Sequence, residues 1–247
     1  MNELIKMMSI GLFAVSVSSQ AQDITVTTDE GFELAASYYQ SNTTSNRGVL
    51  LLHQCNYNRT MYNEIGQQLS NRGIHALSLD FRGYGDSAKG KFTQAKVEAL
   101  PREEQTKVLQ EMYAHWPQDV QLAYDTLKSK MPKESIVGVV GASCGGSQAI
   151  TLAKNNSVNA IAFFSSAQRK ENITHYKNNL ADKPTLIIAS EKDTRTYESA
   201  QQLFTASTNM SSKLISYKGS EHGYPLLDSD TMLGSNIVNW LDNHLVK

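Results

Sequence analysis

The chain has 247 residues, 40% hydrophobic and 19% charged, enough apolar material for one globular domain with a sizeable core. Its formal net charge is −1 at pH 7, and no basic block of the kind that follows phosphates is present, which excludes general attraction to nucleic acid or anionic membrane. The two cysteines, Cys55 and Cys144, lack the CxxC or Cys/His spacing of a zinc site, so neither a metal nor a cofactor is expected.

Lys6 precedes the apolar, small-residue run MMSIGLFAVSVSS, and Ser19-Gln20-Ala21 follows it. This is the pattern of a secretory signal peptide over residues 1–21, with cleavage after Ala21. It predicts a mature domain over 22–247 in the periplasm or outside the cell. The run is short for a membrane span, so no stable span is expected after cleavage.

The segments ITVTT (24–28) and FELAASYYQ (32–40) read as a hairpin turning at Asp29-Glu30-Gly31. GVLLLH (48–53) is an apolar run of strand length, as expected for a strand buried on both faces. A helix follows from about Asn58, with Met61, Ile65 and Leu69 on its apolar stripe and Gly73 at its end. IHALSLD (74–80) is the next strand. Residues 86–115 read as a charged insertion near the site with its own helical pattern over 103–115. Pro117 is expected to open a separate helix carrying Val120, Tyr124 and Leu127. Strands are expected at 135–140, 158–166, 184–190 and 213–219, and helices at 146–155, 195–206 and 236–245. The connection 167–183 is short and polar, which leaves no room for a large lid. Strand–helix alternation at this spacing gives an α/β fold. It is a doubly wound, mostly parallel sheet of about eight strands with helices on both faces and antiparallel strands at one edge.

Ligands in such sheets bind at the carboxyl ends of the strands, so the residues just after each strand are the candidates. GASCGG (141–146) follows one strand and precedes a helix. A tight strand-to-helix turn lifts one side chain above the sheet and needs small residues two before and two after it. Ser143 has Gly141 and Gly145 in those places; Cys144 has Ala142 and Gly146, so a thiol nucleophile stays open as an alternative. A nucleophilic serine needs a base held by an acid. His222, in GSEHGYP after the last strand, is the candidate base. Asp193, in SEKD after the strand 184–190, is the candidate acid, with Glu191 as the fallback and N-capping of the following helix as the competing role. Two backbone N–H groups must face the developing negative charge. They are expected from Cys144 and from Cys55, in HQCNYNR after the strand 48–53. Gln54 and Tyr224 are candidate substrate contacts. The apolar groups Phe92, Met112, Tyr113 and Trp116 either shape specificity or pack the insertion down.

These segments together resemble the α/β-hydrolase superfamily over about residues 24–245. GASCGG looks like its nucleophile elbow, DFRGYGDS (80–87) like its D-x-R-G-x-G-x-S segment, and SEKD and SEHG like its acid and histidine turns. A departure is His53-Gln54, where many members have His-Gly. The resemblance implies a serine hydrolase that cleaves carboxylic esters through an acyl-enzyme on Ser143; with the signal peptide and the short connection 167–183, a secreted enzyme acting on small to medium esters is expected. Lactone, dienelactone-type or thioester hydrolysis is the alternative chemistry, and a noncatalytic binding protein on the same fold is the alternative of another class. A small-molecule ester is the expected partner. The two cysteines would lie close together, as a disulfide or as two packed thiols.

Overall fold

The computed structural model describes residues 21–246; the signal-peptide reading therefore lies almost wholly outside the described residues. Eight strands form one sheet in the order β1-β2-β4-β3-β5-β6-β7-β8. They are β1 (Gln22–Thr27), β2 (Glu33–Tyr39), β3 (Arg47–Leu52), β4 (His75–Leu79), β5 (Ile136–Ala142), β6 (Ala160–Phe164), β7 (Thr185–Ser190) and β8 (Lys213–Tyr217). The hairpin β1–β2 joins β4 antiparallel, and every pairing from β4 through β3, β5, β6 and β7 to β8 is parallel.

Both faces are covered because both sides of the central strands are apolar. On β3, Val49 and Leu51 face one core and Leu50 and Leu52 the other. The first core is closed by α1 (Asn63–Asn71), α7 (Tyr224–Ser229) and α8 (Leu233–His244) through Ile65, Leu69, Leu226, Ile237 and Leu241. The second is closed by α3 (Arg102–Ser129), α4 (Cys144–Ala153), α5 (Lys170–Asn179) and α6 (Thr194–Ala206). A short α2 (Gln94–Glu98) precedes α3. Among the described residues, no helix is long and apolar enough to cross a membrane.

The expected insertion 86–115 and the helix from Pro117 are not separate. Residues 86–101 hold short turns and α2, and from Arg102 one helix runs to Ser129 with Pro117 inside it. The reason is burial. Met112, Trp116, Val120, Ala123, Tyr124 and Leu127 are all buried on this helix, a stripe at helical spacing that continues across the proline. The stripe outweighs the one backbone hydrogen bond that the pyrrolidine ring removes. Sequence reading also leaves α5 and α7 as loop. The first buries only Tyr176 and the second only Leu226, so neither carries a periodic signal.

Candidate active site

GASCGG closes β5 and opens α4. Ser143 sits between them at φ 50° and ψ −115°, a left-handed conformation that costs an L-residue on the order of 1–3 kcal/mol. The turn is held by its neighbours. The Ser143 N–H donates to Phe164 O (2.8 Å), and Ser143 O accepts from the Gly146 N–H (3.1 Å) and from Ser166 Oγ (2.7 Å). The small flanking residues are required. A Cβ on Gly141 would lie 2.6 Å from the carbonyl carbon of Gly145, and one on Gly145 would lie 2.8 Å from His53 O. The bare backbone of Gly145 is what lets the elbow sit against the end of β3.

Asp193 follows β7, two strands from β5, and His222 follows β8, three strands from it, both on the same edge of the sheet as the elbow. His222 Nδ1 donates to Asp193 Oδ2 at 2.5 Å, leaving Nε2 as the ring nitrogen available to a reacting group. The Asp193 carboxylate does not cap α6. Its main-chain carbonyl accepts there instead, from Tyr197 N–H (2.9 Å) and Thr196 Oγ1 (3.0 Å). Glu191, the fallback acid, turns to Ser216 Oγ (3.2 Å) and Lys218 Nζ (3.3 Å). No hydrogen bond joins Ser143 Oγ to the imidazole, whose one side-chain partner is Asp193. Such contacts commonly tighten only when substrate is bound.

The His222 loop is pinned on both sides by groups that carry no sequence signal. Ser190 Oγ donates to Glu221 O (2.6 Å), and the Gly223 N–H donates to Ser165 Oγ (2.9 Å). Both serines are fully buried, and Ser165 holds a positive φ of 46°. A single serine at a strand end matches no motif; only its burial marks it.

Gln54 provides a third tie, because its Oε1 accepts from the Tyr224 N–H at 2.6 Å. The Tyr224 ring stacks on Tyr57 with centroids 4.4 Å apart and lines a hollow of about 540 Å³ with Thr60, Met61 and Leu227. The structure thus places the two expected substrate contacts together, in a link between the loop after β3 and the histidine loop. A different groove, of about 790 Å³, runs past Cys55 and Cys144 between Tyr113 and Trp116 of α3, Ser147 and Thr151 of α4, and Arg169. Exposed Tyr113 and the edge of buried Trp116 therefore line the groove beside Cys144, whereas Phe92 and Met112, equally buried in the core, do not line it.

Cys55 and Cys144 form a disulfide with Cα atoms 5.8 Å apart. A sulfur held in a disulfide is not a thiolate, so with the bridge formed Cys144 offers no thiol nucleophile. Cys144 opens α4, where backbone N–H groups have no partner within the helix.

His53 shapes the loop from beneath. Its Nδ1 donates to Gln54 O (2.6 Å) and its Nε2 accepts from the Phe81 N–H (3.0 Å), which fixes a neutral tautomer. Complete burial pushes its pKa down to about 4. In DFRGYGDS, Asp80 accepts from Arg59 Nη1 (2.5 Å) and from the Asp86 N–H (2.8 Å). Arg82 grips Asp119 of α3 with two hydrogen bonds of 2.8 and 3.0 Å, and Ser87 Oγ accepts from the Ala35 N–H of β2 at 2.8 Å. The segment thus clamps the opening hairpin and α3 to the end of β4.

A family model described as the dienelactone hydrolase family matches residues 34–232. The fold is similar to that of an esterase from Pyrococcus furiosus, with a TM-score of 0.68 at 19% identity over 93% of this chain and 94% of that chain. It is also similar to a dienelactone hydrolase from Anabaena variabilis, with a TM-score of 0.66 at 17% identity over 93% of this chain and 100% of that chain. An esterase from Exiguobacterium antarcticum aligns with a TM-score of 0.62 at 15% identity over 89% of this chain and 99% of that chain. No curated protein matches the sequence. At these identities the structural likenesses are likenesses of fold, an open α/β-hydrolase sheet, while the family model spans most of the sequence itself. The chain belongs to the dienelactone hydrolase family.

Proposed function

We propose that this protein is a secreted serine hydrolase that cleaves small to medium carboxylic esters through an acyl-enzyme on Ser143. The observation that carries the reading is the 2.5 Å hydrogen bond from His222 Nδ1 to Asp193 Oδ2, on the same sheet edge as a serine held at a strained elbow. With Nδ1 donating to a carboxylate, the imidazole is the tautomer whose Nε2 accepts a proton.

Ser143 Oγ attacks the ester carbonyl carbon while its proton passes to His222 Nε2. The carbonyl oxygen becomes an oxyanion, taken by the N–H groups of Cys144 and Cys55. The intermediate collapses, the bond to the alcohol oxygen breaks, and His222 returns the proton to that oxygen. His222 then takes a proton from water, whose oxygen attacks the acyl carbon; collapse releases the acid and returns the proton to Ser143. Asp193 orients the ring and stabilises the imidazolium throughout.

Family membership favours lactones as a second substrate class, since ring opening of a lactone uses the same steps with the alcohol remaining attached. The disulfide supports export, because such bridges persist in oxidising compartments such as the periplasm or the extracellular space. Intact mass of the exported protein is expected to correspond to a chain beginning at Gln22.

The test is hydrolysis of p-nitrophenyl acetate and butyrate, beside a panel of lactones and thioesters, by wild type and Ser143→Ala. Loss of at least ~10³-fold in the variant is expected. Equal rates in the two proteins would refute the reading, and a wild type inert towards the whole panel would favour a binding role.

A further inference from the structure

The loop after β3 and the elbow after β5 leave adjacent parallel strands, with Leu52 opposite Gly141. In the reading above each contributes one backbone donor to the oxyanion. Those two donors belong to the only two cysteines of the chain, and their sulfurs are bonded to one another. The bridge therefore joins the two residues whose peptide groups must keep a fixed separation.

Little else holds the Cys55 peptide against the elbow. The hydrogen bonds of the loop run elsewhere: Gln54 O to His53 within the loop, Gln54 Oε1 to the Tyr224 N–H, and the Asn56 backbone to Tyr84. No backbone–backbone hydrogen bond of the loops joins residues 54–57 to the elbow. Asn56, next in the chain, sits at φ 64°, a conformation open to asparagine but not self-enforcing. On the other side, Gly145 is tightly placed between the elbow and His53 O. The elbow is held by its own hydrogen bonds and the loop by ties to other elements, and the disulfide is the covalent link between them.

We propose that the Cys55–Cys144 disulfide is a positioning element of the oxyanion hole: it sets the distance between the two backbone donors and so acts on turnover. This rests on the serine-hydrolase reading. A backbone N–H cannot be deleted by ordinary substitution, but its position can be released by cutting the bridge. Both cysteines are half-buried and line the groove beside Tyr113 and Trp116, so a small reductant is expected to reach the bond in the folded protein. A water-soluble phosphine supplies two electrons to the disulfide and is oxidised to its oxide, water supplying that oxygen and the two protons of the new thiols.

The experiment compares oxidised wild type, phosphine-reduced wild type and the Cys55→Ser/Cys144→Ser variant. It reads kcat and KM for p-nitrophenyl acetate and the inhibition constant of a trifluoromethyl ketone, whose adduct carries an oxyanion. Circular dichroism over a range of temperatures identifies conditions where each form is folded. Misplacing one donor is expected to lower kcat by about 10–10²-fold and to weaken the ketone by a similar factor. KM should change less than about threefold, and reoxidation of the reduced wild type by glutathione disulfide should restore both quantities. A bridge-free protein that is folded, with kcat and ketone affinity unchanged, overturns the inference and leaves the serine reading intact. So does a change confined to KM, which would place the bridge in the groove wall only. A bridge-free protein that cannot be held folded at any temperature overturns it in favour of a stability staple. An oxidised wild type that neither hydrolyses esters nor binds the ketone overturns the underlying reading, and this inference with it.

Discussion

In the proposed mechanism Asp193 governs the proton chemistry of the site without moving a proton itself. Its carboxylate accepts from His222 Nδ1, which forces the tautomer that leaves Nε2 basic. Asp193→Asn would present an N–H to that nitrogen and reverse the tautomer. We expect kcat on p-nitrophenyl butyrate to fall about 10⁴-fold with KM little changed, whereas Glu191→Gln, altering a residue engaged with Ser216 and Lys218, should leave turnover within about twofold of wild type. A similar loss in both variants would remove Asp193 from its role. His53 makes a prediction about stability instead. Its pKa in the fold is depressed to about 4 from 6.5, so between those values the unfolded chain binds a proton that the folded chain refuses. The contribution is fully present above pH 6.5 and is lost as pH falls towards 4, amounting to ~3 kcal/mol. Urea unfolding of wild type and His53→Gln across that window should show the variant less stable at neutral pH and the gap closing by about that amount in acid. A gap independent of pH would contradict the neutral, buried assignment.

At the scale of elements, α3 shows how a local rule yields to packing. Proline commonly opens helices, and Pro117 reads that way in the sequence. The structure runs α3 through it because Met112 and Trp116 before it, and Val120 and Tyr124 after it, share one buried stripe. Pro117 is exposed, so its ring adds little to the core while the missing N–H costs the helix a hydrogen bond. Pro117→Ala should therefore raise stability by ~1–3 kcal/mol in urea unfolding, and a destabilised variant would mean that the ring is needed for the path of the helix. The strands were legible within a residue or two because the central ones are apolar runs buried on both faces and the opening hairpin is marked by its Asp29-Glu30-Gly31 turn. The helices α5 and α7 were not, since one buried residue each gives no periodicity to read.

Across the whole molecule, the order of strands brings Ser143, Asp193 and His222, far apart in sequence, to the carboxyl edge of one parallel sheet. The motifs for these three were visible because elbow and turn chemistry demand particular small or acidic residues at fixed places. The scaffold that holds them was not. Ser165, Ser190 and the Gln54 side-chain oxygen act through tertiary contacts to the histidine loop, and nothing local distinguishes them from surface polar residues. The pairing of Cys55 with Cys144 was left open by the sequence and is closed by the 5.8 Å approach of their Cα atoms.

The central claim is that Ser143 is an activated nucleophile, and a fluorophosphonate tests it most directly because stable labelling requires one. Oxidised wild type is treated with the probe, digested and mapped by mass spectrometry. The account predicts a single phosphonyl adduct on the peptide bearing Ser143, lost in Ser143→Ala and strongly slowed in Asp193→Asn. A folded protein that takes up no probe, or takes it up on another residue, would contradict it.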